Sequence, residues 1–213
     1  MATPTGVAPG RAAAKAAVAL GALTAAAGWA VLSLAGPVLG PGEAGAVAPT
    51  SAALTTPATG TDPSPPVEIQ GPAGWRASVV PVGATRDGAL LLPQDARVGG
   101  WWALGAPVGA ARGTVLVAGH VDTRAGLGAF AALHGLPLGT RIGVRAANGR
   151  TYPYVITARS TYPQGDLPTD LFTRDGGHRL ALVTCAGTYD QESGGYDSNL
   201  VLYGVPAPAP HPR

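Results

Sequence analysis

Lysine is all but absent from this chain. Lys15 is the single one among 14 basic residues, which face 12 acidic residues for a formal charge of only +2. Without a dense basic run there is no arm for nucleic acid to grip, so a nucleic-acid partner is not expected. Cysteine is as scarce: Cys185 stands alone, which excludes an intrachain disulfide and flags either a reactive thiol or a small buried hydrophobe. The 4 histidines are scattered, and no part of the chain gathers enough ligands for a metal. No metal is expected.

Charge is also missing from one long stretch. Residues 16–40 contain no charged side chain, while Val18, Leu20, Leu23, Trp29, Val31, Leu32, Leu34, Val38 and Leu39 supply apolar bulk. About 20 apolar residues suffice for a helix to cross a bilayer. Arg11 and Lys15 precede this stretch and no basic residue follows before Arg76. That asymmetry predicts residues 1–15 in the cytoplasm and the remainder outside the cell membrane. A cleaved signal peptide, cut near residues 44–48, is the competing reading. The apolar stretch exceeds the ~7–15 residues of such a region, which favours an uncleaved single-pass anchor. Residues 41–66 are rich in Pro, Ala, Thr and Gly and bury too little to offset their ordering entropy, so a disordered tether is expected there. Residues 207–213 read as a disordered tail.

What remains, residues 67–206, has short β-branched runs punctuated by Gly and Pro, the pattern of a mostly β domain. Strands are expected at 77–82, 114–118, 141–145, 151–161, 179–184 and 200–205. Asn148-Gly149 is a two-residue hairpin signal. Tyr152, Tyr154 and Ile156 alternate with their neighbours as a half-buried strand does. Pro153 cannot donate to a ladder, which suggests a sheet edge. The Ala-rich run 128–135 suits a brief helix. Strands closing into a barrel with one or two short helices is the simplest architecture.

Two strand ends carry the chemistry. Thr114-Val115-Leu116-Val117-Ala118 leads to Gly119-His120, and Leu180-Ala181-Leu182-Val183-Thr184 leads to Cys185. A thiolate is a strong nucleophile and a neighbouring histidine is a usual means of forming it. Spacing alone does not bring the two together.

At this point the residues resemble a known family. GHVDTRAGLGAF (119–130) and LALVTCAGTYD (180–190) are similar to the signature segments of the sortases, with the nearest resemblance to class F sortases of high-GC Gram-positive bacteria. The likeness extends to DGALLLPQDARVGGWW (87–102), the Gly-Arg-Thr-Tyr hairpin and GGYDSNLVLYGV (194–205). The resemblance implies a closed barrel of about eight strands that binds a C-terminal LPxTG-type sorting signal. It implies a cysteine transpeptidase, with Cys185 forming a thioester acyl-enzyme and His120 exchanging protons with the leaving and incoming amines. Thr184 is then expected on the substrate groove, and the resemblance implies no organic cofactor. The implied partners are sorting-signal-bearing surface proteins and an amine acceptor on a peptidoglycan precursor or a pilin.

One departure stands out. Sortases generally carry an Arg near the start of the last strand, and Asn199 is the best match here. An Asn amide can donate to an oxyanion but has neither charge nor fork. A turn residue is the equal alternative for Asn199, and Arg159 or Arg179 could supply the missing cation. His134 and His178 read as surface or packing residues, and His211 as solvated tail. Asp122 suits either an orienting partner of His120 or a turn. Two other functions compete. An L,D-transpeptidase lacks support because no His stands two residues before Cys185. A sortase-fold module that binds sorting peptides without efficient turnover is supported only by the absent Arg.

Overall fold

The computed structural model of the protein describes residues 62–86, 89–192 and 194–208. The expected cytoplasmic N-terminus, the apolar stretch 16–40, and most of the tether and tail lie outside these residues. Among the described residues no helix is long and apolar enough to cross a membrane.

Strands β1 (Pro66–Gln70), β2 (Arg76–Val82), β3 (Val98–Trp102) and β4 (Thr114–Ala118) come first in the chain. A small pair follows, β5 (Asp122–Thr123) with β6 (Gly126–Leu127). The longer strands β7 (Arg141–Ala146), β8 (Thr151–Pro163), β9 (Arg179–Asp190) and β10 (Gly195–Pro206) complete the set. Eight of these close into a barrel in the order β1-β2-β3-β4-β9-β10-β8-β7. The expected β-barrel is therefore present. The expected helix is a 3-10 segment, Ala129–Gly135, and 3-10 turns also occur at Pro72–Gly74 and Thr169–Phe172. Seven residues between tight connections are too few for a stable α-helix on their own.

Alternation decides which side chains fill the barrel. Val115 and Val117 of β4, Leu180 and Leu182 of β9, and Leu200 and Leu202 of β10 join Tyr154, Ile156 and Phe130 in the interior core. The intervening residues Leu116, Ala118, Ala181, Val183, Val201 and Tyr203 form a second core on the outer face, covered by Leu90, Leu92, Leu167 and Phe172. Strands buried on both faces read as continuous apolar runs, which is why β4 and β9 stood out in sequence.

Two strands did not. β1 begins at Pro66 inside the expected tether, and β3 carries Gly99 and Gly100. A Cβ at Gly99 would sit 2.9 Å from the Phe130 ring, and one at Gly119 would strike the same ring. The glycines make room for that aromatic in the core. The described residues overlap the expected tether at 62–66: Ser64 is buried, its N–H donates to the Val108 carbonyl, and the Tyr152 hydroxyl donates to the Asp62 carbonyl. Pro153 marks no sheet edge. β8 is paired with both β7 and β10, and the carbonyl of Pro153 faces Ala207, just past the end of the β10 ladder.

His178 is not a surface residue. It is buried against Tyr154, whose hydroxyl lies 2.8 Å from Nε2. Burial lowers the His178 pKa, with the carbonyls of Arg112 and Gly113 offsetting part of that effect. The folded state therefore favours the neutral ring, while the unfolded chain takes up a proton near pH 6.5. Stability from this site is present above about pH 6.5 and is lost as pH falls below it. Thermal melts from pH 7.5 to 5 should show this loss, no steeper than about 1.4 kcal/mol per pH unit for one proton. His178→Gln should flatten that dependence.

Candidate active site

β4 and β9 pair in parallel, Thr114 with Arg179 through to Ala118 with Val183. The offset of 65 persists beyond the last paired residues, because the Thr184 hydroxyl donates to the Gly119 carbonyl at 2.8 Å. His120 follows two residues after the end of β4 and lines one cavity together with Cys185. On the other flank of β9, Cys185 pairs with Asn199 of β10. Cys185 and Asn199 thus form a row across β9 and β10, about 5 Å apart at strand spacing. By alternation Cys185 and Asn199 share the outer face with Val183 and Val201. A bulge follows at once: the β9–β10 register shifts between Ser198 and Tyr196, opposite Gly187 at φ +82°. Bulges of this kind re-aim side chains beside functional sites.

Cys185 stands where two cavities meet. One, of about 350 Å³, is an apolar groove walled by Leu90, Leu92, Leu116, Leu167 and Phe172, with Asn199 on its rim. The other, of about 810 Å³, is more polar and is lined by His120, Asp122, Arg124, Tyr189 and Tyr196. Gln164 borders both. Nothing in the sequence singled it out, because its position depends on its N–H bonding the Asp197 carbonyl of β10.

The Cys185 thiol is half-buried, and its pKa is raised first by burial and then by the Asp122 carboxylate. At neutral pH the resting sulfur is therefore a thiol, and a nearby base is needed to form the thiolate. His120 Nε2 lies 2.9 Å from the Pro93 carbonyl. As the donor in that bond, Nε2 carries the proton and leaves Nδ1 as the basic nitrogen. Asp122 does not orient the ring; it accepts the Tyr196 hydroxyl at 2.7 Å. Thr184 borders the apolar groove, but its hydroxyl is committed to Gly119 and fixes the strand end that carries His120.

Neither alternative arginine reaches the row. Arg179 is buried at the start of β9, bonded to Thr114 and paired with Asp170 at 3.0 Å. It lies six residues from Cys185, roughly 20 Å along an extended strand. Arg159 instead spreads one guanidinium nitrogen over the carbonyls of Leu133, His134 and Leu136 at 3.0, 3.2 and 2.8 Å. It thereby clamps the end of the 129–135 segment, which in turn holds both key residues. The Phe130 N–H donates to the His120 carbonyl at 3.2 Å, and His134 Nε2 lies 3.0 Å from the Cys185 carbonyl. His134 is thus a surface residue, as expected, that also braces the Cys185 backbone. Its partner lies 51 positions away, so no local pattern could have revealed it.

Removing the clamp should loosen this support. Arg159→Ala is expected to lower stability in urea titrations by about 1.5–3 kcal/mol, the range for hydrogen bonds to a charged group. Arg159→Lys should recover less than half of that, since an ammonium lacks the planar fork.

The sequence profile of the family described as the sortase domain matches residues 73–207, more than half of the chain. No curated protein matches it. Among solved structures, sortase C1 of Streptococcus agalactiae in complex with MTSET is similar, with 16% identity, TM-score 0.54, and 70% of this chain and 72% of that chain covered. Sortase A from Corynebacterium diphtheriae matches at 16% identity and TM-score 0.54 over 70% and 64% of the two chains. Sortase E1 from Streptomyces coelicolor, with a tripeptide in its active site, matches at 15% and 0.50 over 68% and 88%. These likenesses are in fold. Together with the profile match across the barrel, they place this chain in the sortase family.

Proposed function

We propose that the chain is a cysteine transpeptidase that cleaves an LPxTG-like sorting signal and transfers the protein to an amine of the cell wall or a pilin. The observation that carries this reading is Cys185, paired with Asn199, at the meeting of two cavities, one of which His120 also lines. The apolar groove suits the Leu and Pro of a sorting peptide, which would bring the scissile carbonyl to Cys185. His120 takes the thiol proton as sulfur attacks, then delivers it to the leaving amine. The product is a thioester, and a second amine resolves it. Asn199, directly opposite Cys185, donates its amide to the oxyanion in the place of the family's Arg. The signature segments around His120 and Cys185 support a class F-like member.

The same reading places the barrel outside the cell membrane, tethered through residues 16–40. In support, the chain is first held at Asp62, by Tyr152 near the start of β8. Asn199 pairs with Tyr162 near the other end of β8, roughly 30 Å away at strand rise. Asp62, the first described residue, is thus held at the end of β8 away from the site.

A second reading, binding without efficient turnover, is favoured by Asn199 standing where an Arg is usual. One series separates the two, with the full chain and a labelled sorting peptide. Cys185→Ala should abolish cleavage, and His120→Ala should slow it at least ~100-fold. Asn199→Ala should cost about 2.7–4 kcal/mol in the acylation barrier while iodoacetamide still alkylates Cys185 at the wild-type rate, since that reagent creates no oxyanion. Cleavage surviving Cys185→Ala would overturn the nucleophile assignment. An inert Asn199→Ala would hand the oxyanion to backbone amides.

A further inference from the structure

Acyl transfer through a covalent intermediate needs two substrates at one sulfur, and the proposed function gives only the apolar groove an occupant. The second cavity differs in chemistry. Its wall nearest the row carries Asp122, whose Oδ2 accepts the Tyr196 hydroxyl at 2.7 Å, while Oδ1 has no hydrogen-bond partner among the described residues. Tyr196 is braced in turn by the edge of the Tyr189 ring, 5.2 Å between centroids. The β9–β10 bulge carries both tyrosines' strands to this wall.

The position of this carboxylate is costly for the nucleophile. A negative charge beside a thiol that must ionise works against the thiolate, and Asp122 pushes the Cys185 thiol up. Such a charge makes chemical sense if the cavity's ligand is a cation that neutralises it. Arg124 lines the same cavity but is exposed at the β5–β6 tip, where water screens its field more than that of the half-buried Asp122.

We propose that the cavity bounded by Asp122 and Tyr196 is the acceptor subsite, and that Asp122 binds the ammonium form of the incoming primary amine. This inference rests on the transpeptidase reading and names the site of its second step. His120 borders the same cavity and takes a proton from the held ammonium. The amine nitrogen then attacks the thioester carbonyl, a C–N bond forms and the C–S bond breaks. Of the three ammonium protons, one stays on the new amide, one ends on the Cys185 sulfur and one leaves to solvent.

The test is partition of the acyl-enzyme in the full chain. Pre-formed thioester from a labelled sorting peptide is offered triglycine, a cationic amine at neutral pH, or hydroxylamine, which is largely neutral there. For Asp122→Asn the ratio of triglycine adduct to hydrolysis product should fall at least about 10-fold, as expected for loss of a near-surface charge pair. The ratio of hydroxamate to hydrolysis product should change far less. Tyr196→Phe, which frees the carboxylate from its brace, should raise the KM for triglycine and leave that for the sorting peptide unmoved. Equal changes for both nucleophiles, or no change for either, would overturn the subsite. Failure of wild type to form any thioester would instead overturn the transpeptidase reading itself.

Discussion

Parallel strands cannot be joined by a tight turn; each such pair depends on a long excursion of chain to return in register. Between β4 and β9 that excursion contains β5 to β8, and its outcome is a fixed offset that ties the end of β4 to β9 and leaves His120 and Cys185 lining one cavity. A slip of one residue would turn every side chain of β9 to the opposite face, sending Cys185 into the core and Leu182 into the groove. Both faces of β9 are buried, which makes such a slip prohibitively unfavourable. The geometry of the site is therefore inherited from the packing of the barrel. The 129–135 segment adds a second constraint by bonding the backbone carbonyls of His120 and Cys185.

Electrostatics at the sulfur oppose reactivity in the resting protein. Burial and Asp122 favour Cys185 as a thiol, so little thiolate is exposed to adventitious electrophiles. Where sortases generally carry an Arg, this chain has the neutral amide of Asn199, and Arg179 and Arg159 are committed elsewhere, one to Asp170 and one to the 129–135 segment. The proposed function therefore gives the developing negative charge to an aimed dipole.

Much of the barrel was legible in the residues. The apolar runs of β4 and β9 and the Asn148-Gly149 hairpin declared themselves through burial on both faces and turn chemistry. β3 did not, because Gly99 makes room for the distant Phe130 ring and Gly100 for Val82 and Pro93, and both look like loop residues locally. β1 was masked by Pro66 and the composition of the tether. At the site, Cys185 and His120 were marked by the apolar runs before them and by family resemblance, although β9 continues past Cys185 to Asp190; that both line one cavity depends on a register that no local pattern encodes. His134, Gln164 and Tyr196 were invisible for the same reason: each acts through a partner far along the chain.

The claim on which everything else depends is that Cys185 carries the acyl group. Incubating the full chain with a sorting peptide labelled at its N-terminus, quenching in acid and digesting for mass spectrometry reads this directly. The account predicts the N-terminal peptide fragment attached to Cys185 through a bond that hydroxylamine cleaves. Peptide cleavage without any adduct, or an adduct on another residue, would contradict it.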